Sequence, residues 1–192
     1  QLAVAPANDA PSIHLGVTKV STYSGPDYAG ARSIGIQSDG KVVLAGGGND
    51  NGYQSDNPDF SLARFNADGS PDASFGDHGR LSTSVRSGAQ CAKDLAIQQD
   101  GKIVVAGYGY EANGNDADVV VVRYNVDGSL DTSFNGDGKL TTDLGSTRDS
   151  GYSVTVQDDG KILVAGNRSA GFMAIGAEFA LVRYNPDGTL DT

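Results

Sequence analysis

Residues 37–46 read QSDGKVVLAG, residues 98–107 read QQDGKIVVAG and residues 157–166 read QDDGKILVAG. After a stretch of varied composition, each is followed by a second shared segment: DFSLARFNADG at 59–69, DVVVVRYNVDG at 118–128 and EFALVRYNPDG at 178–188. Lys41, Lys102 and Lys161 mark the period, about 60 residues. Self-similarity at such a period signals a repeat architecture, in which a unit buries its apolar face only by stacking on a neighbour.

One copy divides into four strands. Ile34 and Ile36, like Leu95 and Ile97 or Val154 and Val156, make a short first strand. The positions between them (Gly35, Ala96, Thr155) are small, which suits an innermost strand beside a crowded central axis. An Asp-Gly pair follows and is the strongest short hairpin signal, predicting a turn with positive φ at both central residues. The second strand, KVVLAG and its counterparts, is apolar without alternation, so both of its faces are covered. The third strand ends in Arg-aromatic-Asn. A second Asp-Gly turn leads to a fourth strand, RLSTSV or KLTTDLG, where Thr and Val supply β-branched side chains. No segment carries helical periodicity with caps. The fold class is therefore all-β, with four antiparallel strands per unit, and such meanders in tandem are blades of a β-propeller. A β-solenoid is the competing reading, but it usually repeats at shorter periods and lacks hairpin Asp-Gly turns.

The ends extend this scheme. Residues 1–12 (QLAVAPANDAPS) read as a linker, and 13–192 as a three-repeat domain with copies at about 33–86, 93–145 and 152–192. The segment Ile13–Thr22 resembles the fourth strand of a repeat and is expected to complete a blade as an added outer strand. Three blades are fewer than the roughly four to eight of typical propellers. Two assemblies resolve the shortfall: a homodimer closing a six-bladed ring, or a longer parent chain with more blades. The opening Gln1 and the stop at Thr192, where earlier copies continue into Ser-Phe, favour the longer parent.

Composition narrows the partners. Fourteen basic residues against 24 acidic ones give a net charge of −10, which disfavours nucleic acid and anionic membrane surfaces. No apolar run is long enough for membrane insertion as a helix. The single cysteine, Cys91, excludes an internal disulfide framework and reads as a small buried apolar residue.

The shared residues also carry a resemblance. Q-x-D-G-K followed by the apolar run and R-[YF]-N-x-D-G-[ST]-x-D resembles the delta-60 repeat, a family of bacterial tandem repeats grouped with β-propellers. The resemblance spans Ser33 to Thr192 and implies a secreted or cell-surface protein, often large and multidomain, with no settled activity. The NDAPS stretch at 8–12 resembles linkers between extracellular modules. The first copy departs from the pattern at Pro71 and in ASFGDHG, so a different second turn is expected there.

Groups present in every copy are most simply scaffold. Gln37, Gln98 and Gln157 can satisfy backbone groups at hairpin ends, and Arg64, Arg123 and Arg183 can pair with Asp72, Asp131 and Asp191. The Asn-x-Asp-Gly-x-x-Asp turns also place oxygens around a glycine, which makes calcium the one cofactor they suit. The candidate ligands are Asn66, Asp68 and Asp72; Asn125, Asp127 and Asp131; Asn185, Asp187 and Asp191. Against this, Arg stands where a calcium loop has its first ligand, and no bidentate Glu follows. Asn and Asp also favour such turns without a metal.

What differs between copies is the loop between second and third strands, together with the connection leading into each first strand. Both emerge on one rim. Their aromatic and amide side chains suit a binding surface for glycans or surface proteins, with Tyr28, Tyr53, Tyr108, Tyr110 and Phe172 as the candidate ligand-binding residues. His14 and His78 are the only histidines and show no metal-ligand or nucleophile spacing, so no catalytic residue is assigned. The leading expectation is a non-catalytic extracellular binding or adhesion module. The alternatives are an architectural or oligomerisation unit of a large secreted protein, and a hydrolase or lyase acting on polysaccharides.

Overall fold

The computed structural model describes residues 30–47, 59–112, 114, 116–169 and 176–192. Within them the chain is all-β. Strands β1 (Ala31–Ile36), β2 (Val42–Gly46), β3 (Phe60–Phe65) and β4 (Arg80–Thr83) form an antiparallel meander in chain order. Strands β5 (Gln90–Ile97), β6 (Ile103–Tyr110), β7 (Ala117–Tyr124) and β8 (Lys139–Thr142) repeat it. Strands β9 (Arg148–Val156), β10 (Ile162–Ser169) and β11 (Glu178–Tyr184) repeat its first three members. These are three propeller blades, the second and third touching edgewise through one parallel bridge, Ala117 to Arg148. The expected outer strand at Ile13–Thr22 lies outside the described residues.

The blades stack face to face. One core joins Val43, Phe60 and Leu62 of the first blade to Leu95, Val105 and Val120 of the second. Another joins Val104, Val119 and Val121 of the second blade to Val154, Ile162 and Val182 of the third. Both central strands of the middle blade, β6 and β7, are buried at every position, as an unbroken apolar run predicts. Each Val or Ile so enclosed contributes about 1.5–3 kcal/mol.

Two local expectations are corrected. The Asp-Gly hairpins do not have positive φ at both residues: Gly40 has φ 82°, whereas the left-handed non-glycine residues among those described are His78 and Asn135. Gly40 N–H donates to Gln37 O at 2.9 Å and Gln37 N–H to Lys41 O at 2.8 Å, the pattern of a turn centred on Ser38-Asp39 with glycine in a G1 bulge. Asp39 then accepts the Lys41 amide at 3.1 Å, a bond within the turn that stabilises this alternative. The small residue Gly35 does not face a central axis either. A Cβ there would lie 2.5 Å from Leu95 Cδ1, because strand side chains alternate between the two neighbouring blades.

The first copy's departure falls later than its second Asp-Gly turn. Pro71 bridges Phe65 as Leu130 bridges Tyr124. The difference comes at residues 76–79: Gly76 and Gly79 are left-handed like their counterparts Asn135 and Gly138, but the third left-handed residue is His78 here and Gly136, one place earlier, in the second copy.

Candidate functional site

The recurrent polar groups form a seam between blades. Arg64 Nε donates to Asp72 Oδ2 at 2.8 Å, and Lys41 Nζ stands 3.1 Å from the same oxygen. Arg64 Nη1 reaches Gln37 Oε1 at 3.3 Å and also Val126 O of the next blade. The guanidinium lies 4.4 Å over the Phe75 ring, a cation–π contact in a desolvated place. Gln37 Nε2 donates across the seam to Gly101 O at 3.2 Å, the backbone-satisfying role its recurrence suggests. The second copy repeats the arrangement: Arg123 Nε to Asp131 at 2.7 Å, Nη1 to Pro186 O at 2.6 Å, and Lys102 to Asp131 at 2.9 Å.

These bonds account for the turn carboxylates offered as calcium ligands. Burial by itself would raise the Asp72 carboxyl. The hydroxyl and amide of Ser74, with Lys41 and Arg64, outweigh it and hold the group well below the ordinary 3.8. Asp131 is held down in the same way by Ser133, Lys102 and Arg123. Asp191, at the open end of the third blade, is lowered chiefly by Lys161 and then by Arg183. Asp68, Asp127 and Asp187 accept the amide and hydroxyl of Ser70, Ser129 and Thr189, and Asn66, Asn125 and Asn185 donate to those hydroxyls.

A cavity of about 540 Å³ opens at the hairpin ends between the second and third blades. It is bordered by the recurrent Gln98, Arg123 and Gln157 and by carboxylates including Asp100, Asp158 and Asp159. Asp100 and Asp159 each accept the amide two residues on, at 3.1 Å, and so hold their own turns.

The opposite rim is where the blades differ. Each inner strand carries a β-bulge, and the extra residue is Arg32 in β1, Lys93 in β5 and Tyr152 in β9. Bulges re-aim a side chain, and here a guanidinium, an ammonium and a phenol occupy one structural position. Lys93 Nζ lies 5.2 Å from the Tyr108 ring centroid and 5.9 Å from that of exposed Tyr152. Tyr108 and Tyr110 meet edge to face at 5.7 Å, and Arg148 lies 5.4 Å over Tyr110. The structure thus brings Tyr108 and Tyr110 together, in a buried cluster with Cys91 and Ala117, at 6% and 7% exposure. Burial pushes the Tyr110 hydroxyl up, with Arg148 opposing. Tyr28, Tyr53 and Phe172 lie outside the described residues. Tyr152 and Lys93 were missed by sequence reasoning, because a bulge position leaves no recurrent residue type to notice.

Beside this cluster three carboxylates converge from separate segments. Asp118 is the second residue of β7, Asp143 follows β8, and Asp149 lies in β9; their oxygens fall within 4.8 Å of one another. Arg86 pairs with Asp118 and, at 2.8 Å, with Glu111. Burial raises the Asp118 carboxyl, Arg86 opposes it, and Asp116 and Asp143 add to the rise.

The family comparison agrees with this fold. A family model described as domain of unknown function (DUF5122) beta-propeller matches residues 37–75, 98–134 and 157–192, more than half of the chain. No curated protein matches it significantly. Among solved structures, a Dyadobacter fermentans DSM 18053 protein of unknown function superimposes with TM-score 0.52 at 12% identity, over 88% of this chain. The chain spans about half of that structure's length, 51%. A Bacteroides caccae protein of unknown function gives TM-score 0.34 at 12% identity, over 86% of this chain and 67% of its own.

Proposed function

This chain belongs to the family described as domain of unknown function (DUF5122) beta-propeller, and on that footing we propose that it is a non-catalytic extracellular or cell-surface binding module. Its repeats are of the delta-60 type, and it presents blade-specific side chains on one rim of a propeller to a glycan or a surface protein. One observation carries this reading. The Arg, Asp and Lys groups common to all blades are spent on one another, whereas the side chains that differ include Arg32, Lys93 and Tyr152 on the rim. Exposed Tyr152 supplies a ring for stacking, and buried Tyr108 and Tyr110 support Lys93 and Arg148 beneath it.

The test is a glycan array and a panel of surface proteins probed with the wild type, Tyr152→Ala and Lys93→Ala. Binding that both substitutions weaken supports the proposal. A wild type that binds nothing under any condition transfers the case to the second reading, an architectural unit. That reading has its own support in the exposed apolar residues of the two end blades, Ile34 and Ile36 on the first and Phe179 and Leu181 on the third. Their counterparts in the middle blade, Leu95, Val119 and Val121, are buried against a neighbour.

A further inference from the structure

The two blade interfaces contain the same small polar arrangement with one element exchanged. Between the first and second blades, Gln90 Oε1 accepts the Val85 amide at 2.8 Å and the Arg86 amide at 3.2 Å. Its Nε2 turns the other way and donates to Asp59 Oδ1 at 3.3 Å, Ser84 Oγ at 3.1 Å and Arg86 O at 3.0 Å. A single amide group thus supplies the hydrogens on which an acid, a hydroxyl and a carbonyl converge.

One blade later the corresponding residues are Asp149 for Gln90, Asp118 for Asp59 and Asp143 for Ser84. Asp149 keeps the first half of the role, accepting the Leu144 amide at 2.6 Å and the Ser146 hydroxyl. It has no hydrogen to give for the second half. Three carboxylates now converge where one amide nitrogen stood between an acid and a hydroxyl, with oxygens within 4.8 Å of one another. Asp118 Oδ1, on a residue only 4% exposed, has no hydrogen-bond partner among the described residues, whereas its counterpart Asp59 Oδ1 accepts from Gln90. Arg86 meets the other oxygen, Oδ2, and a buried Oδ1 left without a donor is unfavourable.

We propose that Asp118, Asp143 and Asp149 form a divalent-cation site at the interface of the second and third blades, with Ca²⁺ as its ion. The charge fits: Arg86 pairs with both Asp118 and Glu111, so the three converging carboxylates carry more negative charge than that one guanidinium meets. The donor set is all oxygen, which selects a hard cation. Oxygens within 4.8 Å of one another are close enough to share one ion at Ca–O distances of about 2.4 Å, and Ca²⁺ tolerates irregular carboxylate sets where Mg²⁺ demands near-ideal octahedral geometry and gives up its waters reluctantly. The ion takes the place of the Gln90 amide and ties β7, the connection after β8, and β9 together. It stands apart from the Asn-x-Asp-Gly turns. It does not depend on what the rim binds.

The test is calorimetric titration of the chelator-treated chain with Ca²⁺, Mg²⁺ and Mn²⁺, together with melting in Ca²⁺ and in chelator. The expected result is one Ca²⁺ per chain, a higher melting temperature in Ca²⁺, and weaker binding of Mg²⁺. Asp149→Gln restores the amide of the other interface and should abolish Ca²⁺ binding while melting in chelator no lower than the wild type. Asp143→Asn, at an exposed position that leaves the fold undisturbed, should weaken binding at least tenfold, and Asp127→Asn in the turn should leave it unchanged. No binding of any of the three ions overturns the site. So does binding that survives Asp143→Asn at full strength or disappears in Asp127→Asn.

Discussion

Ser33 Oγ in the first blade donates to Asp94 Oδ1 in the second at 2.7 Å. The other carboxylate oxygen of Asp94 accepts Ser153 Oγ and Val154 N–H of the third blade, both at 2.9 Å. One side chain therefore joins three successive inner strands, from one structural position filled as Ser, Asp, Ser. Asp94→Ala removes the shared acceptor and leaves the Val154 amide and two hydroxyls to find other partners. It should lower unfolding free energy by about 1–3 kcal/mol in urea titration. Ser33→Ala, which removes the bond to Asp94 and leaves the Leu95 amide its bond to Asp94 Oδ1 at 2.9 Å, should cost about 1 kcal/mol. Equal costs for the two would show that Asp94 acts on one blade only.

Acid should loosen the seams in a defined window. Asp72 and Asp131 are held well below the ordinary 3.8 in the folded chain, so the unfolded chain binds protons more readily. The stabilisation is complete above that ordinary value and is withdrawn as pH falls below it toward the folded-state value. The melting temperature should be level from pH 7 to about 5 with respect to these groups and fall below about 4. Asp72→Asn breaks a buried pair with Arg64 and should cost about 3 kcal/mol at pH 7, with a smaller further loss in acid. An unchanged acid slope in that variant would remove Asp72 from the explanation.

Gly128 and Gly136 separate two reasons for glycine. Both have positive φ, 90° and 85°. A Cβ at Gly128 would also meet Phe75 Cε2 and Leu81 Cδ2 of the preceding blade at 2.9 Å, whereas one at Gly136 meets nothing within 4 Å. Gly136→Ala should cost only the left-handed penalty, about 1 kcal/mol. Gly128→Ala should cost that and about 1–3 kcal/mol more from overpacking. Chemical denaturation of both variants checks the difference.

The end blades invite a neighbour. Phe179 and Leu181 are exposed at positions where the middle blade buries Val119 and Val121. Paired substitution to Ser at 179 and 181 should leave the melting temperature within a few degrees and reduce concentration-dependent association in sedimentation velocity. Association unchanged by that pair would place the contact elsewhere.

Much of the fold was legible because its determinants are local and repeated. The Arg64–Asp72 and Arg123–Asp131 pairs were readable from a spacing kept in every copy, and the doubly covered β6 and β7 from unbroken apolar runs. The hairpin type was not, since Asp-Gly serves both a two-residue turn and a G1 bulge, and the choice falls to a bond between Asp39 and the Lys41 amide. The rim was less legible still. Arg32, Lys93 and Tyr152 share a bulge but no residue type. A salt pair is even rebuilt from a different strand: Arg86, from the connection before β5, meets Asp118, while Arg168 of β10 meets Glu178 at the equivalent place. Recurrence cannot reveal a feature whose parts change position.

By itself, the order of residues determined the repeat, the strands within it and the groups that lock each turn, because those interactions act over a few neighbours and were written three times. Only the stacking of blades decided that Asp118, Asp143 and Asp149 meet. They come from separate elements, and they converge because the start of β7 and the start of β9 touch at Ala117 and Arg148. That contact depends on how two finished sheets lean together, a geometry set by the shape of the core between them.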